Sequence, residues 1–223
     1  MNYFLLIFAV LLSFAFVYIV RPKNNDYFKL LLAFSGAFLL ALTVFELLPE
    51  VYKKADAKIV GVFIMLGILL QVFLEFFSKG AEHGHVHLDK NKTDIPLLLF
   101  ASLCLHSLLE GFPIERHNSI VYGILIHKIP IACILSIFLL NSKIHLGKAL
   151  LFIVIFSLMT PLGSYLAAQF DFTERLYVPI TALVIGVFFH ISTVILFESS
   201  EGHQFNLRKV VVILLGIGMA YLL

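Results

Sequence analysis

The chain has 223 residues, of which 61% are hydrophobic and only 13% charged, with a mean hydropathy of +1.00. Soluble domains carry about a quarter charged residues, so an ordinary water-soluble fold is excluded and a polytopic membrane protein is implied. The formal net charge of +2 comes from basic residues scattered along short loops, without the patch that nucleic-acid binding requires.

About 20 apolar residues cross a hydrocarbon core of about 30 Å. On that measure the sequence predicts an all-α membrane protein of eight transmembrane helices: Tyr3 to Val20, Phe28 to Glu50, Ile59 to Phe77, Ile95 to Ile114, Ile120 to Leu140, Ala149 to Gln169, Tyr177 to Phe197 and Val210 to Leu223. The N-terminus turns apolar almost at once, with no basic leader region or evident small-residue cleavage site, and is expected to be a retained first helix. The eighth span is short for the full core, so it is expected to tilt little or to sit where the bilayer is thin. Cys104 and Cys133 lie in apolar segments, which predicts buried thiols and no disulfide framework.

Orientation follows from the loop cations. With the N-terminus outside, the cytoplasmic loops hold Arg21, Lys23, Lys29, Lys79, Lys90, Lys92, Lys143, Lys148, Arg208 and Lys209, and the outer loops only Lys53, Lys54, Lys58, Arg116 and Arg175. Both termini are therefore expected outside, with Lys53, Lys54 and Lys58 a local exception. Between the third and fourth spans, His83, His85 and His87 alternate in a polar loop, a short metal-binding tract by composition. A solvated loop that happens to be rich in His is the plainer reading. The chain thus reads as a single domain over residues 1–223, with a short His-rich cytoplasmic loop at 78–94.

The fourth and fifth spans carry Leu105-His106-Ser107-Leu108-Leu109-Glu110-Gly111-Phe112-Pro113 and Ile126-His127-Lys128-Ile129-Pro130. An ionisable side chain inside an apolar run costs several kcal/mol unless it meets a partner, a metal or water. His106 and Glu110 are four apart and share one helix face. With His127 on the next helix they form a nitrogen and oxygen ligand set suited to zinc or a similar divalent ion. At about 1.5 Å of rise per residue, His106 lies about 16 Å along its span from the inner side and His127 about 11 Å from the outer side, so the two can meet near mid-membrane. Glu46 falls shallower, near an outer mouth, with His190 in the inner half of the seventh span and Glu198 at its inner end. A packed, hydrogen-bonded histidine fits His190 equally well, and Lys128 also fits a plain salt bridge to Glu110. Pro113 and Pro130 follow the two clusters, and proline in a membrane helix frees a carbonyl where the backbone is buried or lines a cavity.

Gly36, Phe38, Leu39, Thr43 and Val44 in the second span match Gly186, Phe188, Phe189, Thr193 and Val194 in the seventh at a constant offset, the kind of internal repeat found in transporters with a midplane site. A chance match among apolar residues explains the pattern as well.

His106-Ser107-Leu108-Leu109-Glu110-Gly111 resembles the fourth-helix motif of the ZIP family of zinc and iron transporters, and His127-Lys128-Ile129-Pro130 its fifth-helix motif in the version with Lys after the His. Leu47-Leu48-Pro49-Glu50 resembles the end of that family's second helix, and Thr160-Pro161-Leu162-Gly163 its sixth-helix motif. The resemblance implies eight helices in a 3+2+3 arrangement, with helices 4 and 5 lining the metal site, and a homodimer. It implies metal ligation by His106 and Glu110, with Glu46 and His127 at or near the site and Ser107 at a position that helps hold a second metal in some members. Here the second metal's position carries Lys128, whose ammonium cannot ligate while protonated and supplies the charge a second cation would bring. Ile131 stands where some members have an acid. One transport site is therefore expected.

The expected function is secondary transport of a divalent transition metal toward the cytoplasm: zinc first, with iron, manganese or cadmium as other cargoes and no tightly bound cofactor. The expected location is the plasma membrane, or a cell's inner membrane. His190, Glu198 and the loop histidines would receive the ion on the inner side. Two other classes make different demands on the sequence. An intramembrane metalloprotease needs His-Glu-x-x-His, and a serine nucleophile an elbow of Gly-x-Ser-x-Gly; the chain has neither at Ser107. A bis-His haem protein using His106, His127 or His190 would show a visible absorption band.

Overall fold

A computed structural model describes residues 3–22, 26–78, 97–115, 118–169, 173–198 and 207–223, and every regular element among them is helical. The helices are α1 (Tyr3–Val20), α2 (Asp26–Leu42), α3 (Leu48–Lys54), α4 (Ala57–Ser78), α5 (Leu97–Glu110), α6 (Asn118–Asn141), α7 (Leu146–Gln169), α8 (Thr173–Glu198) and α9 (Leu207–Leu222). A π-helical turn, Thr43–Leu47, joins α2 to α3 in one rod, and a 3-10 turn, Phe112–Glu115, extends α5. Six of these rods are long and apolar enough to cross a membrane. The described part of each of the eight predicted apolar runs is helical; α1 and α9, outside the six long rods, have 18 and 16 residues. The loop holding His83, His85 and His87 lies outside the described residues.

The pattern of burial is that of a protein solvated by lipid. On α4 the buried positions Val60, Ile64, Gly67, Gln71, Leu74 and Ser78 recur at helical spacing, while Val62, Met65, Leu69, Phe73 and Phe76 face outward. Polar side chains go to the inside and large apolar ones to the outside, the reverse of a soluble helix. Together with the six long apolar rods, this makes the chain an integral membrane protein.

Two departures from the predicted spans have the same cause. Proline lacks an N–H, and its ring collides with the carbonyl four residues back. Before Pro49 the helix widens, the Leu48 N–H reaching back to the Thr43 carbonyl in the π manner. At Pro113 it tightens instead: α5 ends at Glu110, and the Gly111 and Ile114 N–H groups donate to the Leu108 and Gly111 carbonyls at 3.0 and 3.3 Å. The fourth span is thus α-helical only as far as the carboxylate, not to Ile114 as its apolar run predicts.

Helices cross closely where glycines meet. A Cβ on Gly163 of α7 would stand 2.0 Å from the Leu108 carbonyl oxygen, and one on Gly111 2.2 Å from the Thr160 carbonyl oxygen. Gly67 of α4 and Gly186 of α8 meet in the same way, at 1.9 Å from the Leu183 carbonyl and 2.0 Å from the Ile64 carbonyl. Only small residues allow backbones so near. The two glycines of the matched sequence pattern serve different contacts: Gly36 faces Ile195, and Gly186 faces α4. Gly163→Ala is expected to push α7 off α5 and cost about 1–3 kcal/mol, in the range of overpacked sites. Gly61→Ala, which meets nothing within 4 Å, should leave thermal unfolding in detergent unchanged.

Two apolar layers result. One gathers Phe38, Leu42, Ile120, Ile124, Ile185 and Phe188, the other Leu99, Leu103, Ile131, Leu135, Phe152 and Phe156. On α6, His127 and Lys128 fall between the residues of the first layer and those of the second.

Candidate metal site

One helical turn separates His106 from Glu110 on α5, and the two side chains meet, with His106 Nε2 3.1 Å from Glu110 Oε1. His127 Nε2 approaches the same oxygen from α6 at 3.8 Å. One ligand atom from each of the three lies within 4.8 Å of the others, and all three residues are buried. Two imidazoles and a carboxylate are the donors that zinc accepts at sites keeping a further position open. Glu110 stands between the imidazoles, where a porphyrin joining them would have to displace it.

The other carboxylate oxygen belongs to Lys128, whose Nζ lies 2.7 Å from Glu110 Oε2. At an effective dielectric near 20 that attraction is about 6 kcal/mol, yet removing two ions from water costs several kcal/mol each. The pair therefore contributes little net stability, and its value lies in what the lysine does to the site. Lys128 also donates to Ser107 Oγ at 2.9 Å and lies 4.8 Å from the centre of the Phe156 ring. Ser107 Oγ pairs with Thr160 Oγ1 at 3.0 Å, and Thr160 in turn donates to the Ser107 carbonyl at 2.8 Å. The crossing at Gly111 and Gly163 brings α7 close enough for this exchange. Ser107 is thus engaged in anchoring the ammonium rather than turned to the imidazoles.

The remaining predicted residues lie apart from this triad. Glu46, in the π turn and half-buried, takes a hydrogen bond from Ser119 at the start of α6. His190 on α8 pairs with Glu75 on α4 at 2.5 Å. Glu198 closes α8, and its side chain lies outside the described residues. Cys133 is buried and Cys104 half-buried, and both are free thiols.

Three residues escaped the sequence reading. Gln71 on α4 is fully buried, with Oε1 3.2 Å from His106 Nδ1. Its signal was available, a lone amide in an otherwise apolar stretch from Ile59 to Leu74. Glu75 follows it one turn later. Thr160 stood inside the sixth-span motif, but a threonine in a membrane helix usually satisfies itself on its own backbone, as Thr43 does on the Leu39 carbonyl.

A membrane-embedded helical bundle with a buried imidazole and carboxylate cluster has the donor groups to hold a divalent cation away from water. Comparison with known proteins narrows it further. Residues 79–223 match the family model described as ZIP Zinc transporter. The chain is 30% identical over 167 residues to Protein zntD of Dictyostelium discoideum, an alignment covering 64% of this chain and 24% of that protein. It is also 30% identical over 155 residues to Zinc transporter ZIP1 of Danio rerio, covering 63% and 51%. The chain thus spans about half the length of one curated relative and about a quarter of the other. It belongs to the ZIP zinc transporter family, a family of transporters and not of enzymes.

Proposed function

We propose that the chain is a secondary transporter that moves a divalent transition metal, zinc before iron, manganese or cadmium, across the plasma membrane or a cell's inner membrane toward the cytoplasm. The observation that carries this reading is the triad of His106, Glu110 and His127, held within 4.8 Å between two apolar layers in a chain of this family. The helices form eight spans in a 3+2+3 order, with α5 and α6 lining the path, both termini outside, and residues 1–223 acting as one transport unit, paired as a homodimer.

Glu46 meets the ion first. His106, Glu110 and His127 hold it at mid-depth, and His190, Glu198 and the loop residues His83, His85 and His87 pass it to the cytoplasm. Binding has to be reversible. Three ligands and a carboxylate already shared with an ammonium 2.7 Å away hold a cation less firmly than a cage of thiolates. The same ammonium limits the site to one ion.

Purified protein in vesicles, offered one metal at a time with competitors, tests the cargo. Zinc uptake is expected, inhibited by cadmium and unaffected by magnesium or calcium, which prefer all-oxygen sites. Equal uptake of magnesium and zinc would contradict a nitrogen-rich site.

A further inference from the structure

The triad leaves unexplained the buried amide beside it. Gln71 approaches the His106 ring from α4, on the side away from Glu110. Its Oε1 stands 3.2 Å from Nδ1, while Nε2 of the same ring is 3.1 Å from Glu110 Oε1. The ring therefore has a polar neighbour at each nitrogen, a hydrogen bond at Nδ1 and a carboxylate oxygen beside Nε2. A neutral imidazole has one N–H and one lone pair, so what happens at one nitrogen dictates the other. When Nε2–H donates to Glu110, Nδ1 must accept. When the Nε2 lone pair turns to a cation, Nδ1 carries the proton and must donate.

A primary amide answers both demands, which a carboxylate or a thioether does not. Its oxygen accepts from Nδ1–H, and turned over by half a rotation its NH2 donates to a bare Nδ1. Which of the two faces the ring is assigned from the surrounding hydrogen bonds. Here those bonds leave the choice open: Gln71 Nε2 is buried with no hydrogen-bond partner among the described residues, so nothing there anchors one orientation.

We propose that Gln71 is a positioning residue for His106, its amide turning over as the ring passes between a cation-loaded form with the proton on Nδ1 and an unloaded form with the proton on Nε2. The ring keeps one proton throughout. The proton lost at one nitrogen and the proton gained at the other are exchanged with water that arrives and leaves with the hydrated cation. The inference rests on the reading that His106 Nε2 meets the metal.

The test uses the full chain in nanodiscs, labelled with 15N-histidine and assigned at His106 with His106→Asn. Without metal the Nε2–H pattern is expected, and with zinc the Nδ1–H pattern; the same tautomer in both states overturns the proposal, and this comparison needs no variant to fold. Gln71→Met should weaken zinc binding by about 10- to 100-fold, as loss of a ligand's supporting hydrogen bond does, and leave the zinc-free ring a mixture of tautomers. Gln71→Glu keeps the acceptor and loses the donor, so it should hold zinc and transport it more slowly. Wild-type affinity and 15N pattern in Gln71→Met would end the proposal while leaving the metal site intact, provided His106→Asn loses zinc. Undiminished zinc binding in His106→Asn would instead remove the site reading itself.

Discussion

His106→Ala is expected to lower zinc uptake into proteoliposomes to the level of protein-free vesicles while the protein stays folded. The side chain touches Glu110 and Gln71 and no fixed charge other than Glu110 depends on it. Its removal leaves polar groups short of a partner, at about 1–3 kcal/mol. Glu110→Ala should abolish uptake equally but by a less clean route, because it strands the Lys128 ammonium, 3% exposed, without its counter-ion. Breaking a buried pair from one side costs about 3–5 kcal/mol. The double variant Glu110→Ala with Lys128→Met should recover most of that stability and none of the transport. Such a result separates the carboxylate's part in holding the ion from its part in neutralising the lysine. Wild-type rates in either single variant would remove these residues from the path.

Lys128→Asp should produce the second large effect. It replaces a cation 2.7 Å from Glu110 with a carboxylate beside Ser107, and two buried carboxylates so close repel unless a cation lies between them. Bound zinc is expected to rise from about one to about two ions per chain, the stoichiometry being read by elemental analysis after gel filtration. Thermal stability should become metal-dependent, falling on addition of a chelator by more than it does in the wild type. An unchanged metal count would mean that the lysine does not occupy a second ion's place.

How much of this could be seen in the sequence depends on what kind of contact was involved. The apolar helices were legible because lipid demands apolar surface, and the His106 and Glu110 pair because four residues make about one helical turn. Depth along the spans put His127 level with His106, while its approach to Glu110 is a contact that depth could not supply. Gln71 was not found because it acts across helices, from α4 to α5, and nothing in a single sequence says which faces of two helices meet. The anchoring of Lys128 through Ser107 and Thr160 was hidden for a related reason. It depends on a close crossing of α5 with α7 that Gly111 and Gly163 permit but do not announce. The end of α5 at Glu110 was missed because apolar character continues to Ile114 while Pro113 and Gly111 decide the backbone. Glu46 was read as lying nearer an outer mouth, and its bond to Ser119 is a contact that depth could not supply.

The most direct test of the central claim is the zinc K-edge X-ray absorption spectrum of the zinc-loaded chain in lipid. Imidazole and carboxylate ligation predicts nitrogen and oxygen neighbours at about 2.0–2.1 Å with the outer-shell pattern of two histidine rings, reduced to one ring in His127→Ala. Sulfur neighbours at about 2.3 Å, or a spectrum unchanged in both His106→Ala and His127→Ala, would contradict it.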